Sequence, residues 1–166
     1  MLEAIKLVGA IVGFATGVFT VWDRWARGRP LAWVTATKLG ANPYKYIRIK
    51  NPGPADVFIL AVRAYPSKVY SIAKDHSTEA IVGAASFNVD VNVVLWQGEE
   101  RDLPIIDVSK PDQRNTADRP VRFVIYWRKT SSSWLRQVPV VVWTSTRDVE
   151  RIANAATAVF NQYPVR

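Results

Sequence analysis

The chain has 166 residues, 49% of them hydrophobic and 22% charged, and carries a net charge of +8. That composition excludes a disordered chain and fits one globular domain with a short appendage. With no cysteine in the sequence, disulfides, thiolate metal sites, iron–sulfur clusters and a cysteine nucleophile are excluded.

The appendage is residues 1–29. Within it, Leu7–Trp22 is an uncharged run of 16 residues with glycine at 9, 13 and 17. As a helix this run rises about 24 Å, and extension back to Ala4 with Lys6 snorkelling gives roughly 28 Å, close to the ~30 Å of a bilayer core. Trp22 and Trp25 sit where interfacial aromatics belong, and Arg24, Arg27 and Arg29 follow as a basic stop. A cleaved signal fits poorly: the first six residues have almost no net side-chain charge, and no small-x-small site follows the apolar run. The run therefore predicts a single transmembrane helix in contact with membrane lipid, with a buried core helix as the competing reading. The three arginines after it place the body in the cytoplasm, at the inner membrane, by the positive-inside rule.

Gly9, Gly13 and Gly17 recur every fourth residue and share one helix face, which Thr16 and Thr20 widen. Small residues at this spacing let helix backbones approach, and threonines can hydrogen-bond across the contact. This glycine zipper predicts a homo-oligomer, a dimer at least and a pore-lining ring in its boldest form.

The body is residues 30–166. Arg27–Pro30 reads as a linker, and beyond it the hydrophobic period changes to two. "LAWVTATK" (31–38) and "YKYIRIKN" (44–51) are predicted strands, the second with Ile47 and Ile49 on one face and Tyr44, Tyr46, Arg48 and Lys50 on the other. "NPGPAD" (51–56) is turn chemistry, and "VFILAVRAY" (57–65) is a mostly apolar strand. Residues 67–86 break the pattern, with Ser77 as a cap before a short helix. "FNVDVNVVLW" (87–96) alternates, "QGEERD" reads as a turn, and "LPIIDV" (103–108) as a short strand. A polar loop covers 107–120. "VRFVIYWRK" (121–129) directs Val121, Phe123, Ile125 and Trp127 inward. "TSSS" closes a hairpin onto "WLRQVPVVVWTST" (134–146), where Pro139 argues for an edge-like position. Residues 147–163 form an amphipathic helix, with Ser145 and Asp148 near capping-box spacing and a stripe through Val149, Ile152, Ala153, Ala156, Val159, Phe160 and Tyr163. That stripe is expected to dock on the sheet.

About seven short strands joined by turns predict a mainly β fold, an antiparallel sandwich with a C-terminal helix. The phrase "IRIKNPGPADVFILAV" followed by "LWQGEERDLPI" resembles bacterial immunoglobulin-like domains, which often run strand, Asn-x-Gly turn, strand, then a glycine turn before an edge strand. The resemblance implies an immunoglobulin-like sandwich and singles out no family.

No catalytic pattern emerges. His76, beside Asp75, is the one histidine, and Ser131–Ser133 lack a nucleophile-elbow context. No phosphate-binding glycine loop occurs. Glu99, Glu100 and Asp102 lack the spacing of an EF-hand, so no metal and no cofactor is expected. The candidate ligand-binding residues are two stripes of aromatics interleaved with cations: Tyr44, Tyr46, Arg48 and Lys50 on one strand, and Arg122, Tyr126 and Arg128 on another. Such stripes suit an anionic ligand, whether a nucleotide, a nucleic acid or an acidic protein face. The expectation is a non-enzymatic, membrane-anchored interaction protein. Two alternatives are a membrane-perturbing, pore-forming effector of a toxin or anti-phage defence system and a viral membrane-associated structural protein.

Overall fold

A computed structural model describes residues 14, 16–18, 28–39, 42–86, 90–109, 118–131 and 137–161. From residue 28 on, eight strands and two helices follow in chain order among the described residues. They are β1 (Leu31–Leu39), β2 (Asn42–Lys50), β3 (Val57–Tyr65), β4 (Tyr70–Ile72), α1 (Thr78–Ser86), β5 (Val93–Leu95), β6 (Glu100–Asp107), β7 (Pro120–Lys129), β8 (Val140–Ser145) and α2 (Thr146–Asn161). The strands form two four-stranded sheets, ordered β1-β2-β6-β4 and β5-β3-β7-β8. Every pairing is antiparallel.

The two sheets close on one core because alternate residues of their strands are apolar. Ile47 and Ile49 of the first sheet meet Val121, Phe123, Ile125 and Trp127 of the second, all buried. The inward set expected for 121–129 is the observed one. Trp127 also satisfies its indole, donating from Nε1 to the Val138 carbonyl at 3.0 Å.

The turn at 51–56 is tied to the turn at 96–99 by one side chain. Asn51 is 0% exposed. Its Nδ2 donates to the carbonyls of Ala55 (3.0 Å), Leu95 (3.0 Å) and Trp96 (3.2 Å). Its Oδ1 accepts from the Gly53 amide at 3.1 Å, an Asx-turn. The backbones cross-link as well: the Asn51 amide donates to the Glu99 carbonyl and the Gly98 amide to the Asn51 carbonyl. Gly98 has φ +77°, a left-handed conformation that favours glycine.

Both helices start where the sequence placed caps. The Ala80 amide donates to Ser77 Oγ at 3.2 Å. The Asp148 amide donates to Ser145 Oγ at 3.1 Å, and that hydroxyl donates to Asp148 Oδ2 at 3.2 Å. Helix α2 lies over β1 and β2, burying Val149 and Ala153. Lys45 on β2 pairs with Glu150 of α2, and the Tyr70 hydroxyl donates to the same carboxylate at 3.4 Å. The stripe residues Val159, Phe160 and Tyr163 lie outside the described side chains.

Four expectations need correction. The predicted strand 87–96 contains only Val93–Leu95 as strand among its described residues. Asn92 has φ 48°, and the amides of Val91 and Asn92 both donate to the Leu60 carbonyl rather than to a ladder. The expected turn "QGEERD" is shorter than predicted, because Glu100–Asp102 already pair with Arg48–Lys50 in β6. Only Val140–Ser145 of the run 134–146 is strand among the residues described. Tyr70–Ile72, unassigned from sequence, forms β4 at the edge of the first sheet.

The predicted transmembrane helix falls mostly outside the described residues, as do Gly9, Gly13 and Thr20. Phe14, Thr16, Gly17 and Val18 are helical and exposed, and a Cβ added to Gly17 meets nothing within 4 Å. Among the described residues no helix is long and apolar enough to cross a membrane.

Candidate functional site

Strand β7 sits inside the second sheet, with β3 on one side and β8 on the other. Since Val121, Phe123, Ile125 and Trp127 fill the core, Arg122, Tyr126 and Arg128 project from the opposite face. Register then decides what lies beside them. Arg122 pairs with Tyr65 on β3 and with Trp143 on β8, which places the three side chains in one row across the sheet. The Arg122 guanidinium carbon lies 5.0 Å from the Tyr65 ring centroid and 5.8 Å from that of Trp143, within cation–π range of both.

The row is open to solvent. Trp143 is 69% exposed, and Tyr65 and Tyr126 are each 38% exposed. Among the described residues no carboxylate lies within ion-pair distance of Arg122. The neighbouring Tyr65 hydroxyl, and then burial, raise the Tyr126 pKa. Further along, the Arg128 guanidinium sits 5.2 Å from the Phe58 ring centroid. Arg63 pairs with Asp90 at 2.5 Å.

A β-bulge sets this geometry. Ile59 pairs with Trp127 and Ala61 with Tyr126, so Leu60 is an extra residue on β3. Before it, Val57 and Ile59 point into the core; after it, Val62 and Ala64 do. The shift of phase turns Arg63 and Tyr65 outward. Without it Tyr65 would face the interior and Arg122 would have one aromatic neighbour instead of two.

The other stripe from the sequence lies on the first sheet. Because each sheet gives its apolar face to the shared core, the two stripes are on opposite outer faces of the sandwich and form no common site. On that first face the cations are engaged. Arg48 donates to Asp102 through Nε (2.6 Å) and Nη2 (2.7 Å), a bidentate pair that raises the Arg48 pKa. Lys50 pairs with Glu100 at 2.8 Å. Tyr46 is buried, which raises its pKa, with Asp102 adding to the effect. Tyr44 and Tyr46 both contact His76 edge-on, with ring centroids 5.3 and 5.4 Å away. The exposed acids of "GEERD" thus serve as strand partners, and Glu99 accepts the Trp96 amide in the turn.

Sequence reasoning named Arg122, Tyr126 and Arg128 on the open face and missed Tyr65, Trp143, Arg63 and Phe58. Trp143 belongs to the run "VVVW", whose uniform apolarity hides which residues face outward. Tyr65 and Arg63 depend on the bulge, which no periodicity reveals. No protein-family model matches the chain, and no curated protein matches it.

Proposed function

We propose that this chain is a non-enzymatic interaction protein. Its N-terminal helix anchors it to the cytoplasmic membrane and self-associates through the glycine face, and an immunoglobulin-like sandwich binds an anionic partner in the cytoplasm. Strand order supports the immunoglobulin-like reading: β1-β2-β6-β4 corresponds to the ABED sheet of the constant type and β3-β7-β8 to CFG, with β5 an added edge strand. The carboxylates support a structural role for the acids, since Asp102, Glu100, Asp90 and Glu150 are each held by a cation. The observation that carries the binding reading is the exposed Tyr65–Arg122–Trp143 row, an aromatic and cationic surface on a rigid sheet in a chain of net charge +8.

Two measurements test it. The chain is expected to resist carbonate extraction from membranes, and the detergent-solubilised chain to be retained on immobilised heparin, eluting at lower salt after Arg122→Ala. Recovery of the intact chain in the soluble fraction would refute the anchor. Unchanged heparin elution of Arg122→Ala would refute the surface. Ion leakage on expression would favour the membrane-perturbing effector instead.

A further inference from the structure

We infer that the outer face of the second sheet is a stacking platform for single-stranded nucleic acid, a proposal that rests on the reading of this face as the binding surface. Binding a single strand without sequence preference needs rings on which bases can stack and cations that follow the backbone. This face supplies both, in alternation. Tyr65 and Trp143 flank Arg122 in one row, Tyr126 lies four residues further along β7 beyond Val124, and Arg128 beside Phe58 ends the run. From Arg122 to Arg128 the strand advances about 20 Å. That suits a segment of about 4 nucleotides, the short end of the range for such sites.

Three features favour a nucleic acid over other anionic occupants. The rings are borne on neighbouring strands of one sheet, so the backbone that carries them is ordered before a ligand arrives, which lowers the entropic cost of binding. Arg122 is held between two rings and has no carboxylate partner among the described residues, so its charge is directed to a ligand rather than spent in an ion pair. The exposed area is aromatic as well as basic: a duplex, whose bases are already stacked, offers phosphates to the arginines but nothing to Trp143 and Tyr65. A membrane surface would use the same residue types, yet the sheet presents them in a flat row with the cation at its centre, where insertion would strip water from Arg122.

The test uses the full chain in nanodiscs of zwitterionic lipid and a fluorescein-labelled 15-nucleotide oligo(dT), which has no structure of its own. Fluorescence anisotropy is expected to show salt-sensitive binding, tighter than for a duplex of equal length. Trp143→Ala and Tyr65→Ala should each weaken it about tenfold or more. Trp143→Phe, which keeps a stacking ring, should retain most of the affinity, and Lys50→Gln on the opposite face should retain all of it. Oligo(dT) should also quench tryptophan fluorescence in the wild type, and do so less in Trp143→Phe. Equal affinity for the duplex, or equal affinity of folded Trp143→Ala and wild type, would overturn the proposal. So would binding to anionic-lipid vesicles, lost in Arg122→Ala, in a chain that does not bind oligo(dT). If heparin retention depends on Arg122 while oligo(dT) is not bound, the surface stands and its assignment to nucleic acid falls.

Discussion

Replacing Asn51 should be the most damaging single change in the body. Its Nδ2 has two hydrogens and serves three carbonyls, those of Ala55, Leu95 and Trp96, while its Oδ1 accepts the Gly53 amide. In Asn51→Ala these groups lose their side-chain partner at a residue that is 0% exposed in the native chain, and the Trp96 carbonyl keeps the Glu99 amide. At about 1 kcal/mol for each of three bonds, with a further penalty for carbonyls left dry, the expected loss is about 3–4 kcal/mol. That is a large share of the roughly 5–15 kcal/mol that holds a domain together. Asn51→Asp adds a sign that can be checked. A carboxylate facing three carbonyls is penalised, so the folded pKa is raised above the unfolded value of about 3.9. The protonated form is tolerated at low pH, and stability is lost as pH rises through the raised pKa. Urea unfolding of the full chain in mild detergent, followed by tryptophan fluorescence, should show Asn51→Asp closer to wild type at pH 4 than at pH 8. A loss below 1 kcal/mol for Asn51→Ala, or no pH dependence for Asn51→Asp, would refute the claim that this side chain joins the two turns.

Other outcomes follow from single contacts. Val149→Ala should cost about 2 kcal/mol, because it removes two buried carbon atoms from the α2 interface; a thermal melt unchanged from wild type would show that α2 is not docked as described. The partly exposed Arg48–Asp102 pair should contribute no more than about 1 kcal/mol in a double-mutant cycle despite its bidentate geometry. The Asp118 carboxyl is held below its ordinary value of 3.8, first by the Ser145 hydroxyl and then by the Arg147 amide. Its contribution is present above pH 3.8 and fades as pH falls through the lowered value, so its NMR titration should have a midpoint below 3.8. On the proposed self-association of the N-terminal segment, Gly13→Leu should abolish crosslinking between copies of the chain; crosslinking as strong as in wild type would remove the glycine face as the interface.

What could be read from the sequence depended on whether local rules set the outcome. Ser77 and Ser145 were legible as caps because an N-cap is decided within four residues. Phe123, Ile125 and Trp127 were legible because every second residue from Val121 to Trp127 is apolar and buried, although Val124 is buried as well. β3 was placed at 57–65, but its outward residues were not, since the Leu60 bulge depends on the amides of Val91 and Asn92, some thirty residues away. The strand run through 87–96 failed where Asn92 takes a positive φ; Val91 is buried without belonging to a strand, and pairing with β3 covers only Val93–Leu95. "GEERD" looked like a turn because charge is common in turns, whereas Glu100 and Asp102 face Lys50 and Arg48 across the ladder. The stripes on β2 and β7 were both visible. Only tertiary structure reveals that they lie on opposite faces, one with Arg48 paired to Asp102 and the other with Arg122 between two rings.

The most direct test of the proposed binding surface is a footprint that compares those two faces. Backbone amide exchange of the nanodisc-held chain, with and without saturating polyphosphate, should show new protection or shifts over Tyr65, Pro120–Lys129 and Val140–Ser145, with Tyr44–Lys50 unchanged. Protection confined to Tyr44–Lys50 and Glu100–Asp107 would place the anionic partner on the first sheet and contradict the account.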